Sequence, residues 1–342
     1  MRLGLVGYGL GGRYFHAPFI EAARDVTLAG VVTRAPQRRA ELQADFPGMP
    51  VYDSMTDLIA AGVDAVTITT PPQTRRELVL EAIAAGVPVI ADKPFAPTAE
   101  AGRELVTAAQ TADVPVSVYH NRRWDADIRT LSRVLDNGAL GDLWSVDSRF
   151  ELDLADALER GPEGGLLRDL GAHLVDQMVW LLGPVKSVFC TMDWLDLPEG
   201  RTDAFFTITM LHQRGVRSNV TASKVNRVVA KEYRAYGSRG SYLSMGTDVQ
   251  AVALFAGHRP IDVGAEWGYE GESLWGSLST ADGVERIPSE QGAYQDYYSQ
   301  FSTALQGVAP FPVPAAEAIA TLEVLDAARV SDAIGQVVPV QF

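Results

Sequence analysis

The sequence is short of the features that usually decide a protein's class at a glance. It has one cysteine, Cys190, in 342 residues, which excludes an intrachain disulfide and any cysteine-built zinc site. That thiol stands among apolar and β-prone residues, so a buried, inert side chain is expected. No apolar run reaches the length of a membrane span. A signal peptide is not expected either, because the first residues already read as a strand, and the cytoplasm is the expected location. Basic residues are outnumbered, 29 Lys and Arg against 43 Asp and Glu, for a formal net charge of −14. A phosphate-backbone partner needs a basic surface, so nucleic acid is not an expected ligand. There is no internal repeat and no low-complexity linker. What remains is an ordinary globular composition, 47% apolar and 21% charged, in a chain longer than one hydrophobic core usually spans.

The stretch that organises the rest is Met1 to Gly12, MRLGLVGYGLGG. Arg2 to Val6 reads as a short buried strand, Gly7 to Gly12 fits G-x-G-x-x-G, and Arg13 to Ala23 continues at a helical period. Strand, glycine turn and helix together give this spacing its dinucleotide-binding meaning. Gly7 permits the tight turn, Gly9 lets the backbone approach a pyrophosphate, and Gly12 allows close packing of helix on strand. The helix N-terminus adds unpaired N–H groups for the phosphates. A second strand, Val26 to Thr33, ends Thr33-Arg34 with no acidic residue to hold a ribose 2′-hydroxyl, and Arg38 and Arg39 follow. A guanidinium suits a 2′-phosphate, which favours NADP(H), with NAD(H) possible.

Strands and helices go on alternating to about residue 120, as expected for a doubly wound parallel sheet. Ligands of such sheets lie at the carboxyl ends of the strands. Gly7, Gly9, Leu10, Gly11, Gly12, Thr33, Arg34, Thr70, Pro71, Asp92 and Lys93 fall there and are the expected cofactor contacts. Lys93 is placed where nicotinamide and substrate should meet; neutralising a cofactor phosphate, or pairing with Asp92, is the competing role. From His120 the texture changes to a run of strands, which predicts an α+β second domain with a large, mostly antiparallel open sheet. The expected domains are thus 1–120, a Rossmann domain, and 121–342, for substrate binding and oligomerisation.

A second chemical stretch is GGLLRDLGAHLVD, Gly164 to Asp176. As one helix from Leu166 to Leu182 it places Asp169, His173 and Asp176 on a single stripe. A structural histidine, a metal site and a general acid–base pair are all compatible with that stripe. The further His and Cys ligands of a transition-metal site are missing, so no metal is expected.

The motifs GYGLGG with Phe15-His16-Ala17-Pro18, ADKP at 91–94, NRRWD at 121–125 and GGLLRDLGAH at 164–173 resemble, in order and spacing, the Gfo/Idh/MocA oxidoreductases over essentially the whole chain. The most similar subgroup contains the NADP-dependent scyllo-inositol dehydrogenases. The resemblance implies a catalytic lysine at Lys93, a catalytic histidine at His173, and at Asp169 a carboxylate that binds the reacting sugar. It also implies pocket residues at Asn121, Arg122 and Tyr294, and a homodimer or homotetramer joined through the second sheet. Three residues depart from the pattern: Asp92 stands for a glutamate, Arg75 where a histidine often follows the T-P turn, and Glu163 for the first of three glycines. The segment Phe150 to Pro162 is shorter than in the sugar dehydrogenases and lacks their Trp-Arg pair. The expected activity is hydride transfer between a nicotinamide and a secondary alcohol or ketone of a sugar or cyclitol. A non-catalytic ligand sensor and a reductase of a non-sugar substrate are the alternatives.

Overall fold

The structure, a computed structural model, describes residues 1–161, 164–246 and 248–340, apart from the side chains of Pro72 and Gln73; Glu163 lies outside the described residues. The chain divides into two packed units. In the first, β1 (Arg2–Val6), β2 (Thr27–Val32), β3 (Val51–Tyr52), β4 (Ala65–Ile68), β5 (Val89–Asp92) and β6 (Val116–Tyr119) form one parallel sheet in the order β3-β2-β1-β4-β5-β6. Every residue of β4 and β6 is buried, Thr67 and Ser117 included, as expected of parallel strands covered on both faces. Helices Met55–Ala60 and Ala99–Ala112 begin where Ser54 and Thr98 accept backbone N–H bonds from Asp57 and Ala101, the usual work of a hydroxyl cap. Strand order reverses either side of β1, so its carboxyl end opens at the crevice where such sheets bind ligands.

The first unit also takes in Gln250–Trp267 and Ala293–Ala318. Phe19 lies edge-on to both Trp267 and Tyr294, at 5.9 and 5.0 Å between ring centres. Ser117 of β6 is bonded to Tyr297 and to the Val313 carbonyl, each at 2.7 Å.

The second unit is built on β7 (Leu143–Asp153), β8 (Val185–Leu197), β9 (Gly200–His212), β10 (Arg217–Ser223), β11 (Val225–Gly237), β12 (Gly240–Gly246), β13 (Gly276–Thr280), β14 (Gly283–Ile287) and β15 (Val338–Pro339). Their order is β14-β13-β12-β11-β7-β10-β9-β8-β15. All neighbours run antiparallel except β7 and β10. In β9, Ala204, Phe206, Ile208 and Met210 are buried, while the intervening Phe205, Thr207 and Thr209 face out and are half-buried. That period-two pattern is what a sheet covered on one face produces. Cys190 lies in the covered face, where burial pushes its thiol up to about 12. The region 246–288, irregular in sequence, holds the β13–β14 hairpin and the helix Val249–Phe255.

Candidate active site

The turn after β1 fits a dinucleotide by its backbone. Gly7 has φ +108°, a conformation L side chains rarely adopt. A Cβ on Gly12 would lie 2.3 Å from the Gly7 carbonyl oxygen, so strand and helix touch with no room for a side chain. A Cβ on Gly9 meets nothing within 4 Å; the open side of the turn is the one a pyrophosphate would fill. Leu10 is 61% exposed at this edge. The segment Gly11–His16 is a π-helical turn rather than the ordinary helix expected, and α-helix resumes at Ala17–Ala22. Wide turns of this kind recur at functional sites.

At the end of β2, Arg34 is exposed, while Arg39 donates to the Thr33 carbonyl at 3.0 Å and to Asp53 at 2.5 Å. Arg38 is bonded to Glu41 at 2.6 Å. Arg38 and Arg39 are half-buried and Arg34 exposed.

Asp92, at the end of β5, is fixed on both oxygens. Oδ1 accepts the Lys93 N–H at 2.8 Å, and Oδ2 accepts the Thr69 hydroxyl at 2.9 Å. His16 Nε2 stands 3.4 Å from Oδ2, and its Nδ1 shares a 2.6 Å hydrogen bond with Tyr298. Burial works to raise Asp92, but His16, Arg75 and Lys93 outweigh it and hold the carboxyl well below the usual carboxylate range. Arg75 is buried and donates to the Pro94 carbonyl at 2.5 Å and to the Thr70 carbonyl at 2.8 Å. Arg75 thus braces the turn that carries Lys93 and Pro94, joined by a cis peptide bond. Thr70 and Pro71 lead directly into the helix Pro72–Ala84. Asn121, the last residue of the first unit, is buried. Tyr294, expected beside a substrate, is instead a core residue: fully buried, packed on Phe19, its N–H given to Gln250 at 3.0 Å.

In the second unit, Gly164 and Gly165 do not make way for a ligand. A Cβ on Gly165 would lie 1.9 Å from Asp203 Oδ1, and one on Gly164 would lie 2.5 Å from the Glu159 carbonyl oxygen. Asp203 accepts the Leu167 N–H at 2.6 Å and so starts the helix. The expected single helix is in fact a π-helical turn, Leu167–Gly171, followed by α-helix Ala172–Leu182. Asp169 and the buried His173 sit on either side of that change. The single stripe does not survive as a functional set: Asp176 is bound to Arg123 through two bonds of 2.8 and 2.7 Å. Asp169 Oδ2 accepts from Lys224 at 2.5 Å. Among the described residues no group of three His, Cys, Asp or Glu side chains is placed to hold a metal.

Arg122 is held between carboxylates, with Nη1 3.1 Å from Asp125 and 2.6 Å from Asp248, and lies 5.0 Å over the Phe150 ring. Gln177 donates to its carbonyl at 2.8 Å and accepts from Tyr233 at 2.7 Å. His16, Thr69, Lys224 and Asp248 were not expected in these roles. His16 stood in the quoted Phe-His-Ala-Pro run without an assigned task, while Lys224 and Asp248 lie far along the chain from their partners in no recognisable motif.

Comparison with known proteins decides the family. Residues 1–120 match the oxidoreductase family with an NAD-binding Rossmann fold, and residues 128–243 match the GFO/IDH/MocA C-terminal domain. The chain is 30% identical over 341 residues to scyllo-inositol 2-dehydrogenase (NADP(+)) IolW of Bacillus subtilis, covering 97% of this chain and 93% of that one. This chain belongs to the GFO/IDH/MocA oxidoreductase family. It is 34% identical to an oxidoreductase of Escherichia coli, YdgJ, over 95% of this chain and 94% of the other. Its fold matches the solved yvaA oxidoreductase of Bacillus subtilis with a TM-score of 0.90 and 29% identity, over 99% and 98% of the two chains. The protein is therefore an NAD-binding oxidoreductase, a dehydrogenase by its relatives. No helix among the described residues is long and apolar enough to cross a membrane.

Proposed function

We propose that this family member interconverts a secondary alcohol and the corresponding ketone on a sugar or cyclitol, with NADP(H) preferred over NAD(H). The observation that carries the proposal is Lys93, braced by Asp92 and Arg75 at the carboxyl end of β5, in the row of strand ends that the glycine cradle opens. The nicotinamide, when bound, supplies the hydride acceptor. Lys93 donates to the reacting oxygen and stabilises the negative charge it gains as its proton leaves. His173 takes the hydroxyl proton at its imidazole. Asp169 accepts from a neighbouring hydroxyl and helps to orient that imidazole. Such acid–base groups contribute about 10²–10⁴-fold each, and holding the reactants face to face contributes on the order of 7–11 kcal/mol.

The preference for NADP(H) is supported by the exposed Arg34 after β2 and by the absence there of an acidic residue to hold a 2′-hydroxyl. A cyclitol substrate is supported by the likeness to IolW. Assembly as a homodimer or homotetramer through the uncovered face of the second sheet is supported by Phe189, exposed beside Thr209 and Asn219 on that face. The cytoplasm is the proposed location. The test is a screen of NADP⁺ and NAD⁺ reduction with scyllo-inositol, myo-inositol and D-glucose, and of NADPH oxidation with keto-sugars and a cyclic imine. Turnover of a polyol or keto-sugar, faster with the phosphorylated coenzyme, supports the reading. Turnover of the imine alone, or of nothing, overturns it.

A further inference from the structure

Lys224 is the residue between β10 and β11, and it is 8% exposed. A surface lysine of ordinary kind keeps its ammonium in water. This one does not. Its Nζ donates to Asp169 Oδ2 at 2.5 Å and to the Ala157 carbonyl at 2.8 Å, while its own carbonyl accepts the Leu154 N–H at 2.9 Å. Leu154 and Ala157 belong to the short turn after β7. One side chain thus ties together that turn and the carboxylate one helical step before His173.

The start of the helix and the Asp169 carboxylate are therefore fixed from different parts of the chain. Asp203 of β9 anchors the helix start through Leu167, and Gly165 is the only residue type that fits against it. Lys224 anchors the carboxylate. With Oδ2 committed to an ammonium, rotation about the last side-chain bond of Asp169 is restricted, and the direction of Oδ1 is set by the scaffold before substrate arrives. A group that must hold one hydroxyl and one imidazole gains from such preorganisation, because a misplacement of an ångström can cost about 10²-fold in rate.

We propose that Lys224 is a positioning residue for the reaction, acting through Asp169 and coupling the turn at residues 154–157 to it. The inference rests on the role given to Asp169 above. It is tested by a double-mutant cycle of Lys224→Met and Asp169→Asn, with Lys224→Arg as the conservative variant. Turnover is followed with NADP⁺ and whichever of scyllo-inositol, myo-inositol or D-glucose is used fastest. NADPH binding, by fluorescence, and thermal unfolding are measured alongside.

Lys224→Met should lower kcat at least about 10-fold, with a smaller change in KM and NADPH affinity unaltered; Lys224→Arg should restore much of the loss, and in the Asp169→Asn background the same change should cost less than about threefold. Should Lys224→Met fail to fold, Lys224→Gln, which keeps a donor without the charge, goes through the same cycle. Equal fold losses in both backgrounds, or an undiminished kcat, would overturn the inference while leaving the activity of Lys93 and His173 standing. Full activity of Asp169→Asn would overturn the role given to Asp169 and this inference with it, while no turnover of any polyol or keto-sugar would overturn the proposed function itself.

Discussion

Replacing Lys231 by methionine should destabilise the second unit by about 3–5 kcal/mol at pH 8, the usual result of removing one partner from a buried ion pair. Lys231 of β11 is buried, with Nζ 2.7 Å from Asp125 and 2.9 Å from Asp127, both buried as well. Burial works against the ammonium, but Asp125, Asp127 and Asp248 outweigh it and hold Lys231 charged. Asp125 also has Arg122 at 3.1 Å. Among the described residues Lys231 is the one cation paired with Asp127, so Asp127 bears most of the loss. Its carboxyl already sits at about 6, pushed up by burial, pulled back by Lys231 and raised again by Asp125.

The sign of the pH dependence follows. A carboxyl whose folded value is raised binds its proton more readily in the folded state, so its contribution to stability is present at low pH and lost as pH rises through about 6. Without Lys231 the folded value moves higher still. The defect of the variant should then shrink between pH 8 and pH 5, as Asp127 protonates instead of standing as a bare buried charge. In thermal unfolding, about 3–5 kcal/mol in a unit of this size corresponds to a drop of roughly 6–20 °C at pH 8. A loss under about 1 kcal/mol, or the same loss at both pH values, would refute the reasoning.

Gly12→Ala puts a Cβ 2.3 Å from a backbone oxygen that cannot swing aside; a cost of about 1–3 kcal/mol is expected, with weakened NADPH binding by fluorescence titration, and unchanged affinity would contradict the cradle. Arg34→Ala should remove the advantage of NADP⁺ over NAD⁺ in the ratio of their dissociation constants while leaving NAD⁺ binding as it was. Arg75→Met leaves the Thr70 and Pro94 carbonyls without their donor, so the melting temperature should fall by the equivalent of about 1–3 kcal/mol, and kcat should fall with it because Lys93 shares that turn. Retained kcat in a destabilised Arg75→Met protein would show that the brace does not position Lys93.

The parallel half was legible because its strands are buried on both faces and the residues with chemistry follow each strand end. The hydroxyls of Ser54 and Thr98 cap helix starts. The second sheet was legible where strands alternate strongly, as in β9, and illegible in β13 and β14, whose GSLST and GVERI carry little apolar signal. The site followed the same division. Lys93, Asp92, Asp169 and His173 stand in runs that sequence can single out. What holds Asp169 does not: Lys224 reaches it across 55 residues. The helical stripe of Asp169, His173 and Asp176 assumed one regular helix, which the π-helical turn at Leu167–Gly171 interrupts, and a local period carries no information about a buried cation from elsewhere in the chain. Gly164 and Gly165 give room for a close approach, which the Glu159 carbonyl and Asp203 make.

The most direct test follows the hydrogen itself. Given scyllo-inositol, or whichever polyol is turned over fastest, carrying deuterium on its ring carbons, the protein should deliver the label to C4 of the reduced nicotinamide without loss to solvent. His173→Ala and Lys93→Ala should each slow that transfer by about 10²–10⁴-fold, with NADPH still bound by the His173 variant. Label lost to water, or either variant transferring it at the wild-type rate, would contradict the account.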